Sequence, residues 1–257
     1  MKFIQFQGQE IPKIGLGTWG MRGSECRQAV ENALSIGYRH LDTAEIYGNE
    51  TEVGEAISNS KLDREQIFLT TKVWKSHLKH DDLIQACRQS RKKLAGSYVD
   101  LYLIHAPNPL VPIQETLDAM NELVETGEIK YIGVSNFTID QLQEAIQYAD
   151  IPIFTNQIKY HPLHAQDEMV EFCQKEEILI TAYSPLAKGE VGRSTLLQHI
   201  AEKHSVTPTQ VALRWLVEQD FVITIPKASN PDHQKDNLDI FGFELSSDEV
   251  EEIRQLA

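Results

Sequence analysis

The chain has 257 residues, 41% of them hydrophobic and 24% charged, with a formal net charge of −14. That acidity argues against a nucleic-acid groove or an anionic membrane surface as the main partner, and a phosphate-bearing ligand would need a local patch of donors set against the global field. The three cysteines, Cys26, Cys87 and Cys173, are far apart and form no C-x-x-C, so they read as reduced thiols. The start, MKFIQFQGQE, has no apolar signal region, and no apolar run is long enough to span a bilayer, so a cytoplasmic protein is expected.

The first ten residues alternate around Gly8 and predict a small hairpin. Short apolar runs then alternate with longer amphipathic stretches. The strand candidates are Ile14–Gly17, Tyr38–Asp42, Ile67–Lys72, Val99–Ile104, Ile129–Val134, Phe154–Ile158, Leu179–Tyr183 and Phe221–Ile225. Helical spacing appears between them, for example in Arg27–Ile36, Leu83–Leu94, Thr116–Val124, Asp140–Tyr148, Glu168–Lys175 and Pro208–Glu218. SSDEVEEIRQL opens with a serine cap and an acidic first turn, and predicts an extra C-terminal helix. Repeated strand–helix units predict parallel βαβ packing, and eight of them in one chain favour a closed (β/α)8 TIM barrel over an open sheet. No linker or composition break divides residues 1–257, so a single barrel domain is expected.

GLGTWG, Gly15 to Gly20, matches the dinucleotide fingerprint G-x-G-x-x-G, and Asp42 follows at a suitable distance. The context is wrong for a Rossmann crevice. Pro12 interrupts the preceding run, Gly23 disfavours a helix where the third glycine should open one, and Ser24 reads as the true helix cap. The fingerprint therefore predicts a tight strand-to-loop passage. The Tyr-x-x-x-Lys pair of short-chain dehydrogenases is absent: none of the eight tyrosines has lysine four positions on.

The carboxyl ends of barrel strands carry the chemistry of this architecture. There the sequence sets Asp42 in RHLDTAEIY with Tyr47 just beyond, Lys72 in LTTKVW, and His105 in YLIHAPNP. Each has a plain structural reading as a cap, a packing ring or a satisfied donor, except Lys72. A lysine inside an apolar strand is costly to bury without compensation. Asp42 would be its counter-ion. Lys72 would then lower the pKa of Tyr47, fitting the phenol to protonate an alkoxide as it forms, while His105 orients the carbonyl. No G-x-S-x-G elbow is present, so acyl transfer is not indicated. The pairs His77/His80 and His161/His164 lack a converging third ligand, and no metal site is expected.

IGLGTW, GYRHLDTAEIYGNE, LTTKVW, LYLIHAPNP, GEIKYIGVSNF, TNQIKYHP, TAYSPLA, and IPKAS followed by HQKDN occur in an order and spacing that resemble the aldo-keto reductase superfamily over nearly the whole chain. The likeness is to small prokaryotic members such as the 2,5-diketo-gluconate reductases. It implies a (β/α)8 barrel, a tetrad of Asp42, Tyr47, Lys72 and His105, and NAD(P)H extended across the barrel mouth. By the same resemblance Ser135, Asn136 and Gln157 would hold the nicotinamide carboxamide, Tyr183 would stack on its ring, and Ser184 and Leu186 would meet the pyrophosphate. Gly17, Thr18 and Trp19 would line the mouth. Lys227, helped by Ser229, would pair with a 2′-phosphate, and Asp236 and Asn237 match the adenine-facing acid and amide.

The sequence departs from the family where a common serine is Ala228 and a common arginine is His233. NADPH is still expected, with NADH as the alternative. The short segment after His105 and a chain that stops after its last helix predict an open pocket framed by Trp19, Trp74 and Asn108. Such a pocket would take small aldehydes, 2-oxoaldehydes or keto-sugars. A regulatory barrel that senses NAD(P)H without turnover is the second reading, and retention of all four tetrad residues favours the enzyme. Oligomeric state and physiological substrate are not legible in the sequence.

Overall fold

The structure, a computed structural model, describes residues 2–256. Two antiparallel strands, β1 (Phe3–Phe6) and β2 (Gln9–Pro12), form the expected hairpin. An eight-stranded parallel sheet follows, in the order β3 (Leu16–Gly17), β4 (His40–Asp42), β5 (Phe68–Val73), β6 (Val99–Ile104), β7 (Ile129–Ser135), β8 (Ile153–Lys159), β9 (Leu179–Tyr183) and β10 (Val222–Thr224). The first and last strands meet. Ile14 bridges Thr224 in parallel, the Gly15 N–H donates to Thr224 O at 2.8 Å, and the Gly17 N–H donates to Pro226 O at 3.2 Å. The sheet thus closes into the (β/α)8 barrel that the strand–helix rhythm predicts.

This seam explains the opening glycines. A Cβ on Gly17 would lie 2.6 Å from the Ile225 carbonyl oxygen, and one on Gly15 would lie 2.7 Å from the His40 ring. The spacing that imitates a phosphate loop therefore answers a packing demand between strands.

Helices α1 (Gly23–Ser35), α2 (Glu50–Asn59), α3 (His80–Lys93), α4 (Ile113–Glu125), α5 (Ile139–Tyr148), α6 (Asp167–Lys175), α7 (Thr195–His204), α8 (Pro208–Glu218) and α9 (Pro231–Leu238) surround the barrel. Helix α9 packs on both α8 and α1, across the seam. Helix α10 (Ser247–Arg254) is the extra C-terminal helix, and its N-cap Ser246 makes a reciprocal capping box with Glu249. The start of α1 differs from expectation. Arg22 occupies the N-cap position without a side-chain bond, and Ser24 lies inside the first turn. Gly23 begins this helix with φ +50°, a conformation open to it because it lacks a Cβ.

Two apolar layers hold the barrel. Helix faces pack on the outer sheet surface in one large cluster. Inside, Phe68, Leu101, Leu103, Phe154, Leu179 and Ile223 form a plug that Phe6 and Ile11 of the hairpin seal from the amino-terminal end. Phe6 meets Phe154 edge-on with ring centroids 5.1 Å apart. The lower barrel is thereby filled, and polar side chains can converge only at the opposite end. All three cysteines are buried and unpaired. Among the described residues no helix is long and apolar enough to cross a membrane.

Candidate active site

Strand periodicity builds the site. Side chains two apart share a face, so the run that puts Phe68 in the barrel plug brings Thr70 and then Lys72 up the interior of β5. The same alternation carries Leu101 and Leu103 of β6 up to His105, whose N–H donates to Val73 O at 3.1 Å. Asp42 ends β4. Tyr47 ends a one-turn 3-10 helix, Glu45–Tyr47, which Gly48 terminates at φ 63°.

Lys72 is fully buried. Its Nζ donates to Asp42 Oδ1 at 2.5 Å, to Thr43 O at 2.8 Å and to Tyr47 Oη at 3.4 Å. Gln157 Nε2 donates to the other Asp42 oxygen at 2.7 Å. Burial opposes the ammonium charge, but Asp42 and Tyr47 outweigh it and hold the Lys72 pKa above its ordinary value. The Tyr47 phenol departs from expectation. Lys72 does pull its pKa down, yet burial is the larger influence and the phenol sits above its usual value. Burial, aided by Lys72, lowers the His105 pKa to about 4, so its ring is neutral at pH 7. The edges of Tyr47 and Trp74 both meet His105, at centroid distances of 5.6 and 5.1 Å.

These groups open into a cleft of about 610 Å³. Of the residues expected from the sequence, Gly17, Trp19, Asp42, Tyr47, Trp74, His105, Ser135, Asn136, Gln157, Tyr183, Ser184 and Lys227 line it together. Lys72 lies just beneath. Asn136 and Ser184 hold left-handed backbone at φ 61° and 50°, turning the chain at the ends of β7 and β9. Asn136 is locked by bonds from its amide to His105 O and Ser135 Oγ, and it accepts from Tyr183 Oη at 2.9 Å.

Besides Lys72, and Asp236 exposed on α9, six other expected residues do not line the cleft. Thr18 is buried, its hydroxyl donating to Asp42 O at 3.0 Å, so it braces the rim from behind. Leu186 packs on the outer apolar cluster. Asn108 joins its own loop to the turn after β5, donating to Lys75 O at 2.8 Å and accepting from the Leu110 N–H at 3.0 Å. Ser229 lies beyond the cleft and accepts from Lys227 Nζ at 3.4 Å. His233 stands exposed in the first turn of α9, where its N–H is capped by Asn230. Asn237 is buried in α9, its amide nitrogen without a partner among the described residues.

Other lining residues escaped the sequence reading. Ile46, Lys159, Lys188 and Ile225 face the same space. Lys159 follows Gln157 by two along β8, and that spacing was the available signal. Lys159, Lys188 and Lys227 are three cations around one cleft of an acidic chain, the local donor patch that a phosphate-bearing ligand requires. Asn49 is a hidden brace. Its side chain accepts from Thr43 Oγ1 at 2.8 Å and donates to Thr18 O at 3.0 Å and Met21 O at 3.2 Å, pinning the β3 rim to the Tyr47 turn.

The chain is similar to known proteins over nearly its whole length. Residues 13–257 match the model of the aldo/keto reductase family. A glyoxal reductase of Bacillus subtilis is 38% identical over 250 residues, covering 97% of this chain and 90% of that protein. A glycerol 2-dehydrogenase (NADP(+)) of Saccharomyces cerevisiae is 38% identical over 281 residues, covering 97% of this chain and 88% of that protein. A crystal structure of a putative 2,5-diketo-D-gluconic acid reductase B superposes with a TM-score of 0.98 at 42% identity, covering 100% of this chain and 92% of that one. The chain is an oxidoreductase that belongs to the aldo/keto reductase family.

Proposed function

We propose that this reductase converts small aldehydes, 2-oxoaldehydes or keto-sugars to alcohols, with NADPH as hydride source and Tyr47 as proton donor. The observation that carries the reading is the buried ion pair of Asp42 and Lys72, with the Lys72 ammonium 3.4 Å from the Tyr47 hydroxyl at the floor of an open cleft. A lysine fully removed from water is costly to hold unless its charge is used or compensated, and here it faces a phenol.

The donor set fits the cofactor. Ser135, Asn136 and Gln157 offer hydroxyl and amide groups at neighbouring strand ends, and Tyr183 offers a ring beside them. Lys227 beside Ser229 suits a 2′-phosphate, which favours NADPH over NADH even though Ala228 and His233 remove two common partners. When bound, NADPH supplies hydride to the carbonyl carbon. As charge builds on the carbonyl oxygen, Tyr47 Oη donates its proton to it. Lys72 stabilises the phenolate left behind, and Asp42, its second oxygen held by Gln157, keeps Lys72 charged. His105, neutral, donates an N–H to the same carbonyl oxygen and orients it. The glyoxal and glycerol named for two relatives point to short, polar substrates.

The test is a steady-state comparison of NADPH with NADH over a panel of aldehydes and ketones, followed by loss of nicotinamide absorbance. Tyr47→Phe should lower kcat by at least ~10²-fold while NADPH binding is retained, the lower end of a general acid's contribution. A near-normal rate in that variant would remove Tyr47 from the donor role. Binding of NADPH without turnover over the whole panel would favour the cofactor-sensing barrel.

A further inference from the structure

We propose that Glu45 is a positioning residue for the proton donor: its carboxylate fastens the turn that carries Tyr47 to the loop that carries Trp74. The proposal rests on the reading of Tyr47 as donor. The Glu45–Tyr47 turn is a single 3-10 turn, held within itself by two bonds, Tyr47 N–H to Ala44 O at 3.0 Å and Gly48 N–H to Glu45 O at 3.2 Å. Its neighbours on either side are extended Ala44 and left-handed Gly48. Such a turn has little stiffness of its own. The contact from Lys72 to the Tyr47 hydroxyl is long, 3.4 Å, so it does not fix the phenol tightly either.

Glu45 supplies the missing anchor. Its Oε2 accepts from the Trp74 backbone N–H at 2.9 Å, and its Oε1 lies 2.7 Å from His77 Nδ1. Trp74 follows Lys72 by two residues at the end of β5, so the backbone that Glu45 grips is continuous with the strand that presents the ammonium. The Trp74 and Tyr47 rings both lean edge-on against His105. One carboxylate thereby ties the turn that carries the phenol to the backbone that carries the indole. A hydrogen bond to a carboxylate is among the stronger ones available to a backbone N–H. The Glu45 side chain is about one-fifth exposed, so it works at the edge of the cleft without facing the substrate floor.

The experiment compares Glu45→Ala, Glu45→Gln and Glu45→Asp, with kcat, KM for NADPH, NADPH binding by fluorescence and melting temperature measured for each. A donor displaced by about 1 Å can lose up to ~10²-fold in rate. Glu45→Ala is expected to lower kcat at least tenfold while KM and binding of NADPH change less than twofold. Glu45→Gln keeps an acceptor for the Trp74 N–H and should recover most of that loss. Glu45→Asp keeps the charge but is one methylene short, and should show a loss between the two. Retention of kcat within twofold in Glu45→Ala, or no recovery in Glu45→Gln, overturns the proposal. If Glu45→Ala does not fold, Glu45→Asp decides: a kcat within twofold of wild type overturns it. Tyr47→Phe keeps the two readings apart, because an inactive Tyr47→Phe beside a fully active Glu45→Ala sinks only the role of Glu45.

Discussion

Between Lys72 and the wall formed by Trp74, the imidazole of His105 has no favourable place for a second proton. Its pKa, lowered to about 4, leaves it neutral across the physiological range, so it can orient a carbonyl but cannot be the acid that protonates it. The kcat for carbonyl reduction should therefore show no ionisation between pH 5.5 and 7.5 (roughly one unit either side of an ordinary histidine) that disappears in His105→Gln. Finding such a limb would overturn the assignment of roles between His105 and Tyr47. At this scale the convergence of Asp42, Tyr47, Lys72 and His105 was legible because chemically unlike groups stood at the ends of strands whose interiors were apolar. Lys72 was the clearest, since an ammonium has no bland reason to sit in such a strand. Lys159 and Lys188 were not legible, because an exposed lysine in sequence looks like a solubility device. The direction of the Tyr47 shift was also misjudged. Sequence reveals the neighbouring charge but not how completely the phenol leaves water, and burial proved the larger effect.

Elements show how the backbone delivers those groups. Helix α2 lies so close to the end of α3 that a Cβ on Gly54 would stand 2.3 Å from Lys93 O and 2.7 Å from the Leu94 carbonyl carbon. Gly54→Ala must push two helices apart through rigid backbone, and should destabilise the fold by about 1–3 kcal/mol despite alanine's better helix propensity. Urea melts of the two proteins measure it, and an unchanged midpoint would mean that the helices separate freely. The pairing of β7 with β8 holds a second device. Ile132 faces Ile153 but Val134 faces Asn156, an irregular step in register. A bulge re-aims side chains, and Phe154 and Gln157, three apart, consequently both face the inside, one in the plug and one in the cleft. Simple alternation predicts the strand but not this twist. The start of α1 was misplaced for a related reason: a glycine at positive φ can open a helix without a side-chain cap.

Across the whole molecule the titratable groups that burial disturbs set a direction for acid stability. His40, His105 and His161 are each held low by burial, to about 3, 4 and 4. The unfolded chain takes up these protons near pH 6.5 and the folded chain does not, so stability is full above that value and falls as pH drops toward 4. Below about 4.5 Glu249 adds to the loss, because Lys203, Ser246 and His204 outweigh burial and pull its pKa to about 2. Calorimetric melts should show Tm falling steadily from pH 6.5 to 4, and a Tm constant over that window would refute the account. The barrel itself was the most legible feature, since the strand–helix rhythm recurs along the chain and only a few topologies accept it.

The seam has a temporal consequence. Gly15 and Gly17 pair with Thr224 and Pro226, 209 positions further along the chain. Contacts of such high contact order form late, because loop closure must precede them. During synthesis the first barrel strand leaves the ribosome long before its last neighbour and waits with one edge unmated. The wall of the cleft made by Gly17, Ile225 and Lys227 is then among the last parts to mature, and a nascent chain stalled before β10 would expose a sticky edge in place of a catalyst.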